Sequence, residues 1–198
     1  VWSGPRPRPA AAEPGSRTVW GRRTALALVT VLIMSGPSIP ATQSRSTSNI
    51  EVYLVVDRTG SMAAEDWAGG PDNGGGTRLD GVRQDLGAIR DAFPAARFSI
   101  IALDSAAARE LPLTTDIDAV TSWIASLQQE PTTRSNGSSL ERALPQLSQD
   151  LRSSSENSPE AARLVYIMSD GEATDNGSGA SDAAAAGLSW SELGSMVD

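Results

Sequence analysis

Three oxygen-bearing side chains stand at every second residue of the stretch V-V-D-R-T-G-S-M, Val55 to Met62. Asp57 closes an apolar run, and Thr59 and Ser61 follow at two-residue intervals. Alternate side chains of a chain leaving a strand can face the same side, so one turn can offer a carboxylate and two hydroxyls together. Hard oxygen ligands of this kind suit Mg²⁺, with Mn²⁺ or Ca²⁺ as alternatives. We therefore predict a divalent metal site at this turn.

A second carboxylate, Asp170, stands in the stretch S-D-G-E directly after another short apolar run, Leu164 to Met168. A third group of oxygens lies in Asn136-Gly137-Ser138-Ser139, just before a leucine-rich stretch with helical spacing. Mg²⁺ takes about six oxygens and usually keeps several waters among them. Three loops would therefore supply the protein's share of the ligands, which are two carboxylates and several hydroxyls.

The composition removes most other chemistries. The chain of 198 residues has no Cys and no His, and all 16 basic residues are Arg. Thiol and imidazole nucleophiles, lysine Schiff bases, the phosphate-binding P-loop lysine, histidine-ligated zinc and disulfides are thereby excluded. The sequence offers no convincing pair of nucleophile and base, so we expect a binding protein and not an enzyme.

Charge is divided unevenly along the chain. Residues 1–49 carry six Arg and one Glu, whereas residues 50–198 carry ten Arg and 23 acidic residues. A body with a net charge of −13 and no cluster of cations is poorly suited to bind phosphates. We therefore expect no nucleic-acid partner.

Strand-like and helix-like patterns alternate from Ile50 onward. Buried strands are predicted at Ile50–Val56, Phe98–Leu103 and Leu164–Met168, with a short edge strand at Leu111–Leu113. Predicted helices begin at Thr77, Asp116 and Ser139, and a short one covers Ser189–Val197. Pro145 is expected to kink the third helix, and residues 173–187 are expected to form a loop. The pattern predicts a three-layer α/β fold, Rossmann-like and doubly wound, around a mainly parallel sheet.

The predicted topology brings the acidic motifs together. In an open α/β sheet, ligands bind outside the carboxyl ends of the strands, where the strand order reverses. Asp57 and Asp170 both follow predicted strands at that rim. The plainer alternative, in which Asp57 caps a turn and Asp170 marks a loop exit, leaves both positions at strand ends unexplained.

The N-terminal part has a different character. Residues 1–23 are rich in Arg and Pro and are expected to be disordered. Residues 24–41 resemble an export signal: Arg22-Arg23 precede an 11-residue apolar run, and a helix breaker with small residues follows. The run is shorter than the ~20 residues that span a bilayer, which favours cleavage over anchoring. Residues 42–49 would be a linker to a domain at 50–198, located outside the cytoplasm.

The acidic and hydroxyl motifs resemble the metal-ion-dependent adhesion site of von Willebrand factor type A domains. That family has Asp-x-Ser/Thr-x-Ser after its first strand and an Asp in a Thr/Ser-Asp-Gly turn after its fourth, which here match Asp57, Thr59, Ser61 and Asp170. The family pattern Gly-Thr-x-x-x-x-Ala-Leu corresponds to Gly137–Leu144, so the register assigns the Thr role to Ser138, with Ser135 as the alternative.

The resemblance implies an exported or cell-surface domain that binds a divalent metal and, through it, an acidic group of a protein ligand. Family members normally add two more strands, so the domain is expected to be truncated after the fourth. Membrane association, through the N-terminal segment or a C-terminal anchor, is a further expectation.

Two other functions remain open. A haloacid-dehalogenase-like phosphotransferase also uses Mg²⁺ and an Asp after its first strand, but it needs a second Asp at position 59 and a Lys. An intracellular partner subunit of an ATP-driven complex is the other alternative, against which the leader at residues 22–41 argues.

Overall fold

A computed structural model describes residues 4, 15–34, 49–69, 75–131 and 137–197 of the chain. Contacts divide the chain into two units, Val1–Ser44 and Arg45–Asp198. The two units are described separately below.

The N-terminal unit contains helix α1, Gly15–Met34. Residues 15–23, expected from the sequence to be disordered, are helical in the structure. The helix contains three Leu, three Arg and two Ala, which favour helix, and no Pro. Within the described part of the chain, no helix combines the length and the apolar character that crossing a membrane requires. Residues 35–41 of the predicted signal and most of the predicted linker lie outside the described residues.

The second unit is built on a four-stranded sheet. The strands are β1 (Ile50–Asp57), β2 (Arg97–Leu103), β3 (Ala107–Thr114) and β4 (Ala162–Met168), in the order β3-β2-β1-β4. β1 pairs in parallel with both β2 and β4, whereas β2 and β3 are antiparallel. The predicted, mainly parallel sheet is confirmed.

Both faces of β1 are buried, which explains its unbroken apolar run. Val52, Leu54 and Val56 face one hydrophobic cluster, and Tyr53 and Val55 face the other. Helices α2 (Arg78–Ala92) and α3 (Ile117–Ser126) contribute to the first cluster. Helices α4 (Leu144–Asn157), α5 (Ser178–Ala185) and α6 (Trp190–Gly194) contribute to the second. The unit is therefore the predicted three-layer α/β fold.

Helix α2 begins at a fixed point beside the sheet. Its N-cap Thr77 accepts from the Asp80 amide, and the Asp80 carboxylate in turn accepts from the Thr77 amide, which forms a capping box. The predicted N-cap role of Asp116 in α3 is also confirmed, since its side chain accepts from the Ala119 amide. The first residue of α2, Arg78, is consequently held in place next to the carboxyl ends of the strands.

Three details differ from the sequence-based expectations. Pro145 does not kink a helix: a 3-10 turn covers Leu140–Ala143, and α4 begins at Leu144 with the proline in its first turn, where the missing N–H costs nothing. The edge strand is longer than predicted, extending over Ala107–Thr114. The supposed loop at 173–187 contains helix α5, which is rich in alanine.

Strand β4 lies at the edge of the sheet in the described part of the chain. Ile167 on this strand is 39% exposed. The rim formed by the ends of β1 and β4 is consequently open on the β4 side in the described part of the chain.

Candidate functional site

The ends of β1 and β4 form one rim. The parallel pairing places Val56 opposite Met168. Asp57, at the end of β1, therefore lies beside Ser169 and Asp170, the two residues that follow β4. β1 has β2 on its other side, and the connections that leave β1 and enter β4 lie on opposite faces of the sheet. This is the switch point at which open α/β sheets place their ligands.

Asp57 is the centre of the hydrogen bonds at this rim and is fully buried. Its Oδ1 accepts from the Thr59 amide at 2.9 Å and from Thr59 Oγ1 at 2.6 Å. Its Oδ2 accepts from Ser169 Oγ at 2.8 Å and from Ser138 Oγ at 3.3 Å. Groups from three separate loops therefore meet at one carboxylate, which they hold in a single orientation.

The loop that carries Ser138 is fixed against the loop that follows β4. The Ser138 amide donates to Thr174 Oγ1, and the Thr174 amide donates to the Ser138 carbonyl, both at 2.8 Å. Gly137 has a φ of +83°, and a Cβ there would lie 2.5 Å from the Thr174 carbonyl oxygen. Only glycine permits this approach, so the Gly-Ser pair is what delivers the Ser138 hydroxyl to Asp57. The alternative Ser135 lies outside the described residues.

Ser61 lies in a 3-10 turn, Gly60–Ala63, whose Met62 side chain is buried in the core. Its hydroxyl oxygen is buried, and among the described residues no protein group hydrogen-bonds to it. The Ser61 hydroxyl lies close enough to the Asp170 carboxylate to lower its pKa, as a donor does, although the two groups do not have the distance and angle of a full hydrogen bond. A buried polar atom without a partner is uncommon in folded proteins and calls for an explanation.

Asp170 has a side chain that is 9% exposed. Burial raises the pKa of this carboxyl, but the nearby Ser61 hydroxyl, the Glu172 amide and the Arg78 guanidinium together outweigh burial and lower it. Its Oδ1 accepts from the Glu172 amide at 3.1 Å, and its Oδ2 accepts from Arg78 Nη1 at 2.6 Å. The lowered pKa keeps the Asp170 carboxylate ionised at neutral pH.

Arg58, inside the D-R-T-G-S motif, is engaged away from these carboxylates. Its guanidinium donates to Asp104 at 2.9 and 2.6 Å and to Glu110 at 2.7 Å. Burial alone would lower the pKa of Arg58, but these two carboxylates raise it overall. The charge of Arg58 is thus neutralised by acids outside the predicted metal site.

The five predicted residues fall at one rim in a linked set. Asp57, Thr59 and Ser138 are joined by hydrogen bonds, and Ser61 lies near Asp170. Within the described ranges there is no cluster of three or more His, Cys, Asp or Glu side chains able to hold a metal. A dication at this rim would instead be bound by two carboxylates, by hydroxyls and by water, a donor set that fits Mg²⁺. The unpartnered Ser61 hydroxyl fits the same group, because a metal would supply its missing partner.

Three other residues at the rim were not predicted from the sequence. Ser169 precedes Asp170 in the S-D-G motif, so its place in that motif was the available signal. Thr174 and Arg78 are brought to the rim by loops. A loop sequence has no helix or strand periodicity, so their positions could not be predicted. Arg78 is the most consequential of these, since it brings a positive charge onto a predicted ligand.

Fold and site together define a three-layer α/β domain whose switch point presents two carboxylates and several hydroxyls. The chain belongs to the von Willebrand factor type A domain family, whose model matches residues 52–172. No curated protein is similar enough to this chain to count as a match.

Solved structures similar to this chain include proteins of three bacteria. An uncharacterised membrane-spanning protein of Vibrio fischeri shares 23% identity at a TM-score of 0.47, over 52% of this chain and 50% of that one. BatB of Bacteroides thetaiotaomicron shares 16% identity at a TM-score of 0.44, over 60% and 65%. An aerotolerance-related membrane protein of Bacteroides fragilis shares 15% identity at a TM-score of 0.44, over 60% and 66%. The chain therefore spans less than two thirds of the length of each of these structures.

Proposed function

We propose that this domain binds a divalent metal ion, Mg²⁺ or alternatively Mn²⁺ or Ca²⁺, through Asp57, Thr59, Ser61, Ser138 and Asp170. The observation that carries the proposal is the buried Ser61 hydroxyl, which lies beside the Asp170 carboxylate on the rim that also holds Asp57, yet makes no full hydrogen bond within the described chain. Leaving such a hydroxyl unpaired costs about 1–3 kcal/mol. A metal ion bound at the rim would give this oxygen a partner.

The charges at the rim support a binding role with an open position. The carboxylates of Asp57 and Asp170 together balance the charge of one dication, while the hydroxyls add ligands without adding charge. A six-coordinate ion would then keep water at its remaining positions, where an acidic group of another protein can replace it. We propose a protein ligand that presents Asp or Glu.

We propose a binding module and not an enzyme. The rim holds hydroxyls that donate to a carboxylate, and the chain has no His, Cys or Lys to act as a base or a strong nucleophile. A phosphotransferase of the haloacid dehalogenase type is not favoured, since Thr59 stands where that chemistry needs a second Asp.

The proposed location is outside the cytoplasm, with membrane association as a further element of the proposal. It is supported by Arg22-Arg23 followed by the uncharged apolar run that forms the C-terminal half of α1. Fractionation of cells that express the chain tests this part. Recovery with extracytoplasmic or membrane fractions is expected, whereas recovery with soluble cytoplasmic proteins would favour the intracellular alternative.

Calorimetric titration of MgCl₂, MnCl₂ and CaCl₂ into the full chain tests the metal site. We expect binding to the unchanged protein and its loss in Asp57→Ala. Asp118→Ala is the matched control, since it removes the same group from an exposed position in the first turn of α3. Circular dichroism establishes that each variant is folded. A folded wild-type chain that binds none of the three ions, or Asp57→Ala binding as well as wild type, would refute the proposal.

The acidic ligand is tested separately with an immobilised Asp-containing peptide and its Asn counterpart. Retention of the metal-loaded chain on the Asp peptide, its loss on adding EDTA and its absence on the Asn peptide are expected. Equal retention on both peptides would contradict recognition of an acidic group.

A further inference from the structure

Arg78 connects the predicted metal site to an acid outside it. Its Nη1 donates to Asp170 at 2.6 Å and lies 3.5 Å from the Ser61 carbonyl oxygen. Its Nε and Nη2 contact Asp66 at 2.9, 3.1 and 2.6 Å. The guanidinium thus makes more contacts with Asp66 than with Asp170.

The position of Arg78 is set by its backbone. It is the first residue of α2, and its amide donates to the Ala64 carbonyl at 3.0 Å, just beyond the turn that holds Ser61. Its side chain, by contrast, is 30% exposed and has room to move. It borders a cavity of about 400 Å³ that Asp66, Trp67 and Asp85 also line. The guanidinium can therefore leave Asp170 and remain among carboxylates.

A dication and this guanidinium need the same carboxylate. Asp170 is nearly buried and offers Oδ2 to Arg78, while its Oδ1 accepts from the Glu172 amide. A positive charge at hydrogen-bonding distance from Asp170 both occupies the oxygen and repels the arriving ion. Metal binding then requires Arg78 to withdraw, and Asp66 is the partner to which it withdraws.

We propose that Arg78 is a built-in competing cation that neutralises Asp170 in the metal-free domain, and that Asp66 sets the metal affinity by drawing Arg78 away. This inference rests on the proposed metal site and adds its regulation. Asp66 is 56% exposed, so a partner surface or a change in ionic strength can reach the ion pair from outside. The affinity of the rim for its metal would thereby be adjustable from the loop that precedes α2.

The two substitutions have opposite expected effects. Arg78→Gln removes the competing charge, and Mg²⁺ affinity should rise about tenfold, the scale of a cation–dication repulsion screened by water at this range. Asp66→Asn removes the alternative partner, and affinity should fall several-fold as Arg78 turns to Asp170. In the double variant the Asp66 effect should vanish, because it acts only through Arg78.

Two controls separate charge from structure. Arg78→Lys keeps the charge and should bind Mg²⁺ nearly as wild type does. Arg90→Gln makes the same charge change on α2, twelve residues or about 18 Å along the helix, and should leave the affinity unchanged. All variants are titrated calorimetrically as full chains, with circular dichroism to establish folding.

The outcomes distinguish this inference from the proposed function. If wild type binds Mg²⁺ and Asp57→Ala does not, yet Arg78→Gln binds no tighter than wild type, the metal site stands and the role of Arg78 is refuted. An equal rise in Arg90→Gln, or an Asp66 effect that persists without Arg78, refutes it as well. If folded wild type and Arg78→Gln both fail to bind, the proposed function itself fails. Tighter binding by Arg78→Gln alone supports the inference.

Discussion

Replacing Ser61 with alanine should stabilise the metal-free domain and weaken its response to metal. The Ser61 hydroxyl is buried and makes no full hydrogen bond among the described residues, although it lies close enough to Asp170 to lower the pKa of that carboxyl, which reduces the expected gain. An unsatisfied buried hydroxyl costs about 1–3 kcal/mol, and Ser61→Ala removes that cost without opening a large cavity. Taking the lower end, we expect a gain of about 1 kcal/mol, which raises Tm by about 2–4 °C for a domain of this size.

The matched control is the same substitution at Ser169. Its hydroxyl donates to Asp57 Oδ2 at 2.8 Å and accepts from the Gly171 amide at 3.0 Å. Ser169→Ala breaks both hydrogen bonds and leaves one lone pair of a buried carboxylate without a donor. We expect it to destabilise the domain by about 1–2 kcal/mol. Two Ser-to-Ala substitutions on one rim should therefore change the free energy of unfolding in opposite directions.

The assay is thermal unfolding followed by circular dichroism, first with EDTA and then with MgCl₂ in excess. A ligand at a hundred times its Kd stabilises the native state by about 2.7 kcal/mol, so the wild-type Tm should rise clearly with Mg²⁺. In Ser61→Ala this rise should shrink, because one ligand is lost. If Ser61→Ala lowers Tm in EDTA as much as Ser169→Ala does, the hydroxyl has a partner in the metal-free protein and the reasoning fails.

Three further predictions concern the stability of the domain. Thr77→Ala removes the capping box that fixes the start of α2 and should cost about 1 kcal/mol in urea unfolding. Glu51→Gln should cost about 3 kcal/mol by the same measure, because Glu51 is fully buried and its ion pair with Arg97 would lose the negative partner. The Gly179 amide, aided by the Gly177 amide, lowers the pKa of Asp175 against the opposing effect of burial. A lowered native pKa stabilises the fold above the unfolded value of about 3.9, and this stabilisation is lost as pH falls through the native pKa. The gap in urea midpoint between wild type and Asp175→Asn should therefore be largest at neutral pH and close on acidification below about pH 4.

The layered fold was predictable because the pattern in β1 is strong. Five consecutive apolar residues from Val52 to Val56 require burial on both faces, and only a strand between two helical layers provides it. That Asp57 and Asp170 lie close together was predictable from the topology, because the carboxyl ends of parallel strands lie at a common rim. Both inferences used local sequence together with a general rule of chain connection.

Helix α5 was missed because its sequence, Ser178–Ala185, has too few large apolar residues to show a periodicity. Its signals were alanine, a strong helix former, and Asp175, which accepts from the Gly177 and Gly179 amides at the start of the helix. Pro145 was misjudged for a related reason. The leucines before and after it share one spacing, which hides the change from a 3-10 turn to an α-helix at Leu144.

Arg78 was not predictable as a neighbour of Asp170, because 92 residues separate the two and the sequence between Ala64 and Thr77 has neither helix nor strand periodicity. Its presence alters how the charges at the rim must be understood. Asp57 is satisfied by hydroxyls and an amide, all neutral donors, so a cation that replaces one of them displaces no positive charge. Asp170 is satisfied in part by a full positive charge, which cannot stay without opposing a dication.

The free-energy cost of binding the proposed metal therefore differs between the two carboxylates. Binding at Asp57 displaces no charged group, whereas binding at Asp170 requires the Arg78 ion pair to open. The metal-free domain gains from this arrangement, since neither buried carboxylate lacks a partner and the rim can remain formed without metal. Opening the Arg78–Asp170 ion pair would lower the affinity for the metal. The size of this loss depends on how well Asp66 holds the released guanidinium. Under the proposed function, a rim built in this way would stay folded while empty and would release its metal readily, as suits a site whose occupancy is controlled.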